Sequence, residues 1–165
     1  MMNITELTLK ELASYCAHKQ LSIGVAESVT AGYLQFVLSQ MPDAMHIFNG
    51  GVTAYNIGQK VKHLGVDYTQ GMRCNCVSEI TAQTMAVNAC RLLNSRMGIA
   101  ITGYASPVPE EGITDLHAYM AIAIDGKISH THKLYSKETS AAQAQQDYVQ
   151  QVMAEMLLHL QRLNR

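Results

Sequence analysis

The spacing of apolar residues along the chain switches between helical and strand-like periods several times, and each switch marks an element. Leu7, Leu9, Leu12, Ala13 and Cys16 recur at helical spacing and predict an amphipathic helix over Ile4–Gln20, with Thr8-Leu-Lys-Glu11 arranged like a capping box. Leu21–Ala26 is a compact apolar run that predicts a strand, and Gly32–Met41 returns to helical period through Leu34, Val37 and Leu38 before Pro42 ends it. Ile47–Tyr55 reads as a second strand, in which Gly50-Gly51 lets a ligand or another backbone approach closely. Asn56–His63 predicts a short helix, and Gly65–Cys76 a loop rich in turn residues.

Ser78 then caps a periodic helix over Glu79–Leu93, with Ile80, Met85, Ala86, Ala89, Leu92 and Leu93 expected to face inward. Met97–Gly103 is another apolar strand, and Ser106–Gly112 a loop. His117–Ile124 and Ile128–Tyr135 are two strands meeting across Asp125-Gly126, a hairpin signal. A long helix over Thr139–Leu163 closes the pattern, its inward face Val149, Val152, Met153, Met156, Leu157 and Leu160. Strands alternating with helices, plus one hairpin, predict an α/β fold with a mixed sheet. A length of 165 residues without a linker or internal repeat fits a single domain, 1–165.

Charge and composition narrow the partners. A net charge of -1 offers no electrostatic footprint for nucleic acid or an anionic membrane, so neither is expected. No apolar run approaches the ~20 residues of a membrane span, and Met1-Met2-Asn3-Ile4 does not begin a signal peptide, which predicts a cytoplasmic protein. Cys16, Cys74, Cys76 and Cys90 lack the paired Cys-x-x-Cys of structural zinc and read as ordinary buried thiols. His130 and His132 share one face of a strand and would suit a metal given a third ligand from elsewhere, but histidines on an edge strand are commonly unliganded. No metal and no cofactor are expected. Ten methionines and no tryptophan suggest a core packed partly with thioethers.

Ligands of open α/β sheets bind beyond the carboxyl ends of strands, and three corners of this chain lie there: Ser28, then Tyr55 with Lys60, then Thr102-Gly103. Ser28 opens a strand-to-helix turn, where free N–H groups and a positive dipole end favour a ligand contact or a nucleophile. The competing reading is that Ser28 or Thr30 merely caps the helix. Lys60 is equally open between a base and a solvated charge, Tyr55 between a site residue and packing, and Thr102 between a ligand contact and a good β former.

Four ordered blocks resemble the CinA C-terminal domain family, the competence/damage-inducible group that includes nicotinamide mononucleotide deamidases. They are Ala26-Glu-Ser-Val-Thr-Ala-Gly32, Gly50–Lys60 with Leu64-Gly-Val66, Val77-Ser78 and Ile101-Thr-Gly-Tyr-Ala-Ser-Pro107. The resemblance implies a three-layer α/β/α fold with a mixed, mostly parallel sheet, a homo-oligomer, and hydrolysis of a carboxamide with release of ammonia. It implies Ser28 as nucleophile, Lys60 as base and Tyr55 beside them. Substrate contacts are expected at Glu27, Thr30, Gly32, Gly51, Asn56, Thr102, Gly103 and Ser106, and the expected partner is a small molecule, a pyridine nucleotide or related amide. Burial can lower a lysine's pKa far enough to take a serine's proton, and backbone N–H groups after Ser28 would stabilise the oxyanion.

The chain departs from the family where a glycine-rich loop usually follows Thr-Gly: Ser106-Pro-Val-Pro-Glu-Glu111 stands there, stiff and acidic. Glutamines (Gln143, Gln145, Gln146, Gln150, Gln151) replace the arginines usual in the last helix. Two functions follow from these departures: an amidohydrolase with a Ser28/Lys60 pair, or a paralogue that binds a nucleotide-like ligand or a protein partner without turnover. A structural subunit of a larger assembly is a third.

Overall fold

A computed structural model describes residues 5–164. One sheet has the order β2-β1-β3-β4-β5, with β1 at Ile23–Glu27, β2 at Phe48–Thr53, β3 at Met97–Gly103, β4 at Leu116–Ile124 and β5 at Lys127–Ser136. β1 pairs parallel with β2 and β3, while β4 is antiparallel to β3 and β5, so β4 alone runs against the rest. The helices are α1 (Glu6–His18), α2 (Tyr33–Leu38), α3 (Ala44–Ile47), α4 (Ile57–Leu64), α5 (Tyr68–Arg73), α6 (Glu79–Leu92) and α7 (Ala141–Leu163). The β4–β5 turn is Asp125-Gly126, with φ of 50° and 74°. Two left-handed residues in succession are what the tight hairpin turn requires.

Alternation along the strands separates the two faces of the sheet by side-chain size. Ile23, Val25, Ile99, Ile101, Met120, Ile122 and Leu134 meet α1, α2 and α7. On the other face Ala26, Ala100, Ala121 and Ala123 meet α6 through Ala82, Met85, Ala86 and Ala89. A Cβ on Gly98 would collide with the Ala86 carbonyl, so α6 lies against β3 only because that position is bare. On the larger face Tyr148, Val149, Val152, Met153 and Met156 of α7 are fully buried. Each such side chain contributes about 1.5–3 kcal/mol of hydrophobic stabilisation.

Several expectations are corrected. Thr5 caps α1, its side chain accepting from the Thr8 N–H, so Thr8–Glu11 lies inside the helix; Ile4 falls outside the described residues. The expected loop at Gly65–Cys76 contains α5, capped by Asp67, which accepts from the Gln70 N–H at 2.7 Å. On α6, Ile80 and Leu92 are 60% and 49% exposed, while Thr81, Ala82 and Cys90 turn inward. The turn of α6 seats Ala82, Met85, Ala86 and Ala89 on the alanine- and glycine-rich sheet face, which places Ile80 and Leu92 off it. On α7, Leu157 is only half-buried, and Tyr148 and His159 join the inward face.

The parallel strands β1, β2 and β3 all end at one edge. From β1 the chain passes to β2 on one side and then to β3 on the other, so the crevice beyond β1 and β3 is a topological switch point, the usual ligand site of such sheets.

Candidate active site

At that edge lies a cavity of about 720 Å³, within the range of small-molecule sites. Ser28, Tyr55, Asn56, Lys60, Thr102, Gly103 and Ser106 line it. Glu27, Thr30, Gly32 and Gly51 are not among its walls, and each has a structural task instead.

Glu27, at the end of β1, is fully buried and closes the start of α2. Its carboxylate accepts from the Thr30 hydroxyl at 2.5 Å and from the N–H groups of Leu34 and Gln35, both at 3.1 Å. The Tyr33 N–H goes to the Thr30 carbonyl, and the Phe36 N–H makes the first regular helical bond, to the Gly32 carbonyl. Three of the four orphan donors of the helix start, those of Tyr33, Leu34 and Gln35, are therefore used within the protein. The first turn of α2, expected as a ligand cradle, is thus largely filled by Glu27, and the capping alternative for Ser28 and Thr30 also fails, because Gly32 holds the cap position without a side-chain bond. Gly32 is there for its backbone, with φ of 99°, directly after the left-handed Ala31. Gly51 makes room for the Gln35 side chain, whose amide donates to Thr53 Oγ1 at 3.2 Å.

Ser28 is thus left facing the cavity, 5% exposed, with its own N–H held by the Ile101 carbonyl at 3.1 Å. The next N–H, of Val29, has no acceptor among the described residues and adjoins the same cavity. It is a donor available to a developing oxyanion.

Lys60 sits on α4, whose start is capped by Asn56 accepting from the Gln59 N–H at 3.0 Å. The capping task takes the carbonyl oxygen of Asn56 and leaves its NH2 for the cavity. Lys60 is 4% exposed, and burial pulls its pKa below the ordinary lysine value, opposed by the neighbouring Cys76. Its Nζ donates to the Tyr55 carbonyl at 3.3 Å. Among the described residues no hydrogen bond joins Lys60 to Ser28, although the two line one cavity. Burial raises the Cys76 pKa in turn, keeping it a thiol beside the amine. The Tyr55 ring stands at the mouth, 65% exposed.

Thr102 is fully buried, and its hydroxyl donates to the Cys76 carbonyl at 2.7 Å. It pins the segment after α5 to the end of β3, with its oxygen lone pairs remaining. Gly103 is bare because β4 passes so close that a Cβ would collide with Ala118. Ser106 is exposed at the cavity rim, and the following residues form a short 3-10 turn, Pro109–Glu111. Sequence reasoning missed Tyr68, Asn75 and Tyr104 in the wall. Asn75 and Cys76 have φ of 50° and 55°, two consecutive left-handed non-glycine residues at the cavity. An asparagine at such a bend was the available signal. Gln145 of α7 reaches in as well, donating to the Val29 carbonyl at 2.9 Å and bracing the Ser28 turn.

Comparison with known proteins agrees with this architecture. A competence-damage inducible protein of Streptococcus equi subsp. zooepidemicus is 38% identical over 107 residues, 65% of this chain and 25% of that protein. One from Limosilactobacillus reuteri is 36% identical over 110 residues, 67% of this chain and 26% of the other. The chain thus matches about a quarter of the length of these relatives. The solved competence or damage-inducible protein from Enterobacter asburiae superposes with a TM-score of 0.88 at 26% identity, covering 96% of this chain and 99% of its own. A CinA superfamily protein from Escherichia coli gives 0.85 at 26% identity, covering 97% and 94%. A family model described as the CinA C-terminal domain matches residues 6–160, and with that span the chain belongs to the CinA C-terminal domain family.

Proposed function

We propose that the chain is an amidohydrolase that cleaves the carboxamide of nicotinamide mononucleotide or a related amide, with Ser28 as nucleophile and Lys60 as base. The observation that carries the reading is the pairing, in one cavity, of a serine hydroxyl relieved of capping by Glu27 with a buried lysine whose charged form is disfavoured. In this reading neutral Lys60 Nζ takes the Ser28 proton, through one bridging water or after leaving the Tyr55 carbonyl. Ser28 Oγ then adds to the amide carbon, and the Val29 N–H steadies the oxyanion. The C–N bond breaks as Lys60 returns its proton to the departing ammonia. Water attacks the acyl-serine with Lys60 again as base, releasing the acid and restoring Ser28. The rings of Tyr55 and Tyr68, 65% and 59% exposed, offer faces for a pyridine ring.

The phosphate is the weaker part of the fit. An adjoining recess of about 540 Å³ sets Arg73 together with Glu111, so a phosphate there would meet one cation and one carboxylate. That observation, with the lack of a Ser28–Lys60 hydrogen bond, favours ligand binding without turnover as the second reading. The test is ammonia release from nicotinamide mononucleotide and from its phosphate-free riboside. Expected is steady release that falls by about 10³-fold or more in Ser28→Ala and Lys60→Ala, in keeping with removal of a nucleophile or its base. Undiminished release in both variants would overturn the assignment, and saturable binding without ammonia would establish the second reading.

A further inference from the structure

We propose that His130, His132 and Glu155 form a binding site for a divalent transition cation of the zinc class, clamped between β5 and α7. His130 and His132 lie two apart on β5, so both rings share one side of the strand, and their planes are nearly parallel, 12° apart. Glu155 of α7 supplies the third donor that the sequence did not reveal. One carboxylate oxygen is 2.9 Å from His130 Nε2 and the other 3.9 Å from His132 Nε2. The three ligand atoms all fall within 4.8 Å of one another.

A tetrahedral Zn²⁺ with bonds of about 2.0–2.1 Å holds its ligand atoms roughly 3.3 Å apart, so small torsions of the half-exposed His132 and of the carboxylate complete the set. A simple ion pair accounts for His130 beside Glu155. It does not account for a second imidazole directed at the other oxygen of the same carboxylate. Two imidazoles and one carboxylate suit zinc, cobalt, nickel or copper, whereas magnesium and calcium prefer oxygen alone. The His130 ring is also held in place: His159 stacks on it at a centroid distance of 4.9 Å and is itself bonded to Ser129 Oγ at 2.7 Å. Such outer contacts fix ligand orientation in metal sites. Solvent reaches the cluster through His132, whose side chain is 50% exposed, which leaves an entry path and a fourth position for water. Along α7, Glu155 is ten residues from the cavity residue Gln145, about 15 Å of helix, so the cation would act as a clamp on the edge strand and not on Ser28.

Calorimetric titration of the untagged, chelator-treated full chain with Zn²⁺, paralleled by Co²⁺ absorption, tests the site. Expected is one equivalent bound with micromolar or tighter affinity and a rise in Tm on adding Zn²⁺. His132→Ala and Glu155→Gln should each weaken binding by about 100-fold or more, beyond the 10–100-fold typical of losing an outer contact. His46→Ala, which removes another exposed histidine, should change neither. The His132 side chain is half exposed, so its variant should keep the metal-free Tm and separate ligand loss from unfolding. Binding weaker than about 1 mM, or binding unchanged in both His132→Ala and Glu155→Gln, would overturn the proposal.

Discussion

Burial disfavours the charged form of Lys60, and two opposite consequences follow for stability and activity. Its folded pKa lies below the value near 10.5 of an unfolded lysine. Between those two values the unfolded chain binds more protons, so stability rises with pH there; below the folded value the whole cost is present. Lys60→Met keeps the length and removes the charge. Thermal denaturation at pH 7 should therefore give a higher Tm, about 2–4 °C for each kcal/mol recovered, with the gain shrinking as pH approaches 10. A Tm below wild type at pH 7 would show that the ammonium is instead stabilised. If the chain is the proposed amidohydrolase, ammonia release should rise with pH on an ionisation below the ordinary lysine range, and Lys60→Met should be inactive. Glu27→Gln should have the reverse signature: an NH2 group facing a buried N–H loses a partner and costs about 1–3 kcal/mol, read as a lower Tm in the same scan. Ser28 and Lys60 were legible as residues because a serine at a strand end and a lysine a few residues past another strand sit where ligands bind. The task of Glu27 was not, since it depends on the start of α2 turning back onto the end of β1.

Among the elements, those with a clear period were readable: β3 matches its expected span, and β4, β5 and α4 come within a residue or two at their ends. What periodicity missed was decided by packing. The α6 face could not be read without knowing that β1, β3 and β4 offer Gly24, Gly98, Ala100, Ala121 and Ala123 to it. α5 escaped because Gly71 sits inside it, and that glycine is bare to admit the Cys76 sulfur, a contact with no trace in local sequence. Gly98→Ala tests this packing. The added methyl meets the α6 backbone and not a movable side chain, so a loss of about 1–3 kcal/mol or more is expected in denaturant unfolding. An unchanged midpoint would mean that α6 can lift from the sheet without penalty.

For the whole molecule, the methionines of α7 lie on the inward face that the helical spacing predicts. Met153 and Met156 are fully buried, so they pack the core and leave no methionine-rich surface on that helix to support an oligomer. Three exposed apolar side chains, Tyr55, Tyr68 and Met72, at 65%, 59% and 54%, do share the cavity wall. If the homo-oligomer implied by the family forms, light scattering will give a mass that is a multiple of 18.1 kDa; a mass of 18.1 kDa would show that surface open in solution. No helix among the described residues is long and apolar enough to cross a membrane.

The Glu27 carboxylate also bears on how a ligand would reach the cavity. It cancels the positive end of α2 before any ligand is present, and the buried Lys60 amine adds little field beyond the cavity mouth. Encounter then depends on contact and shape more than on long-range attraction. Raising ionic strength from roughly 50 to 300 mM, which halves the screening length or more, should alter kcat/KM by less than about twofold, so the site would work at nearly the same efficiency across a wide range of salt.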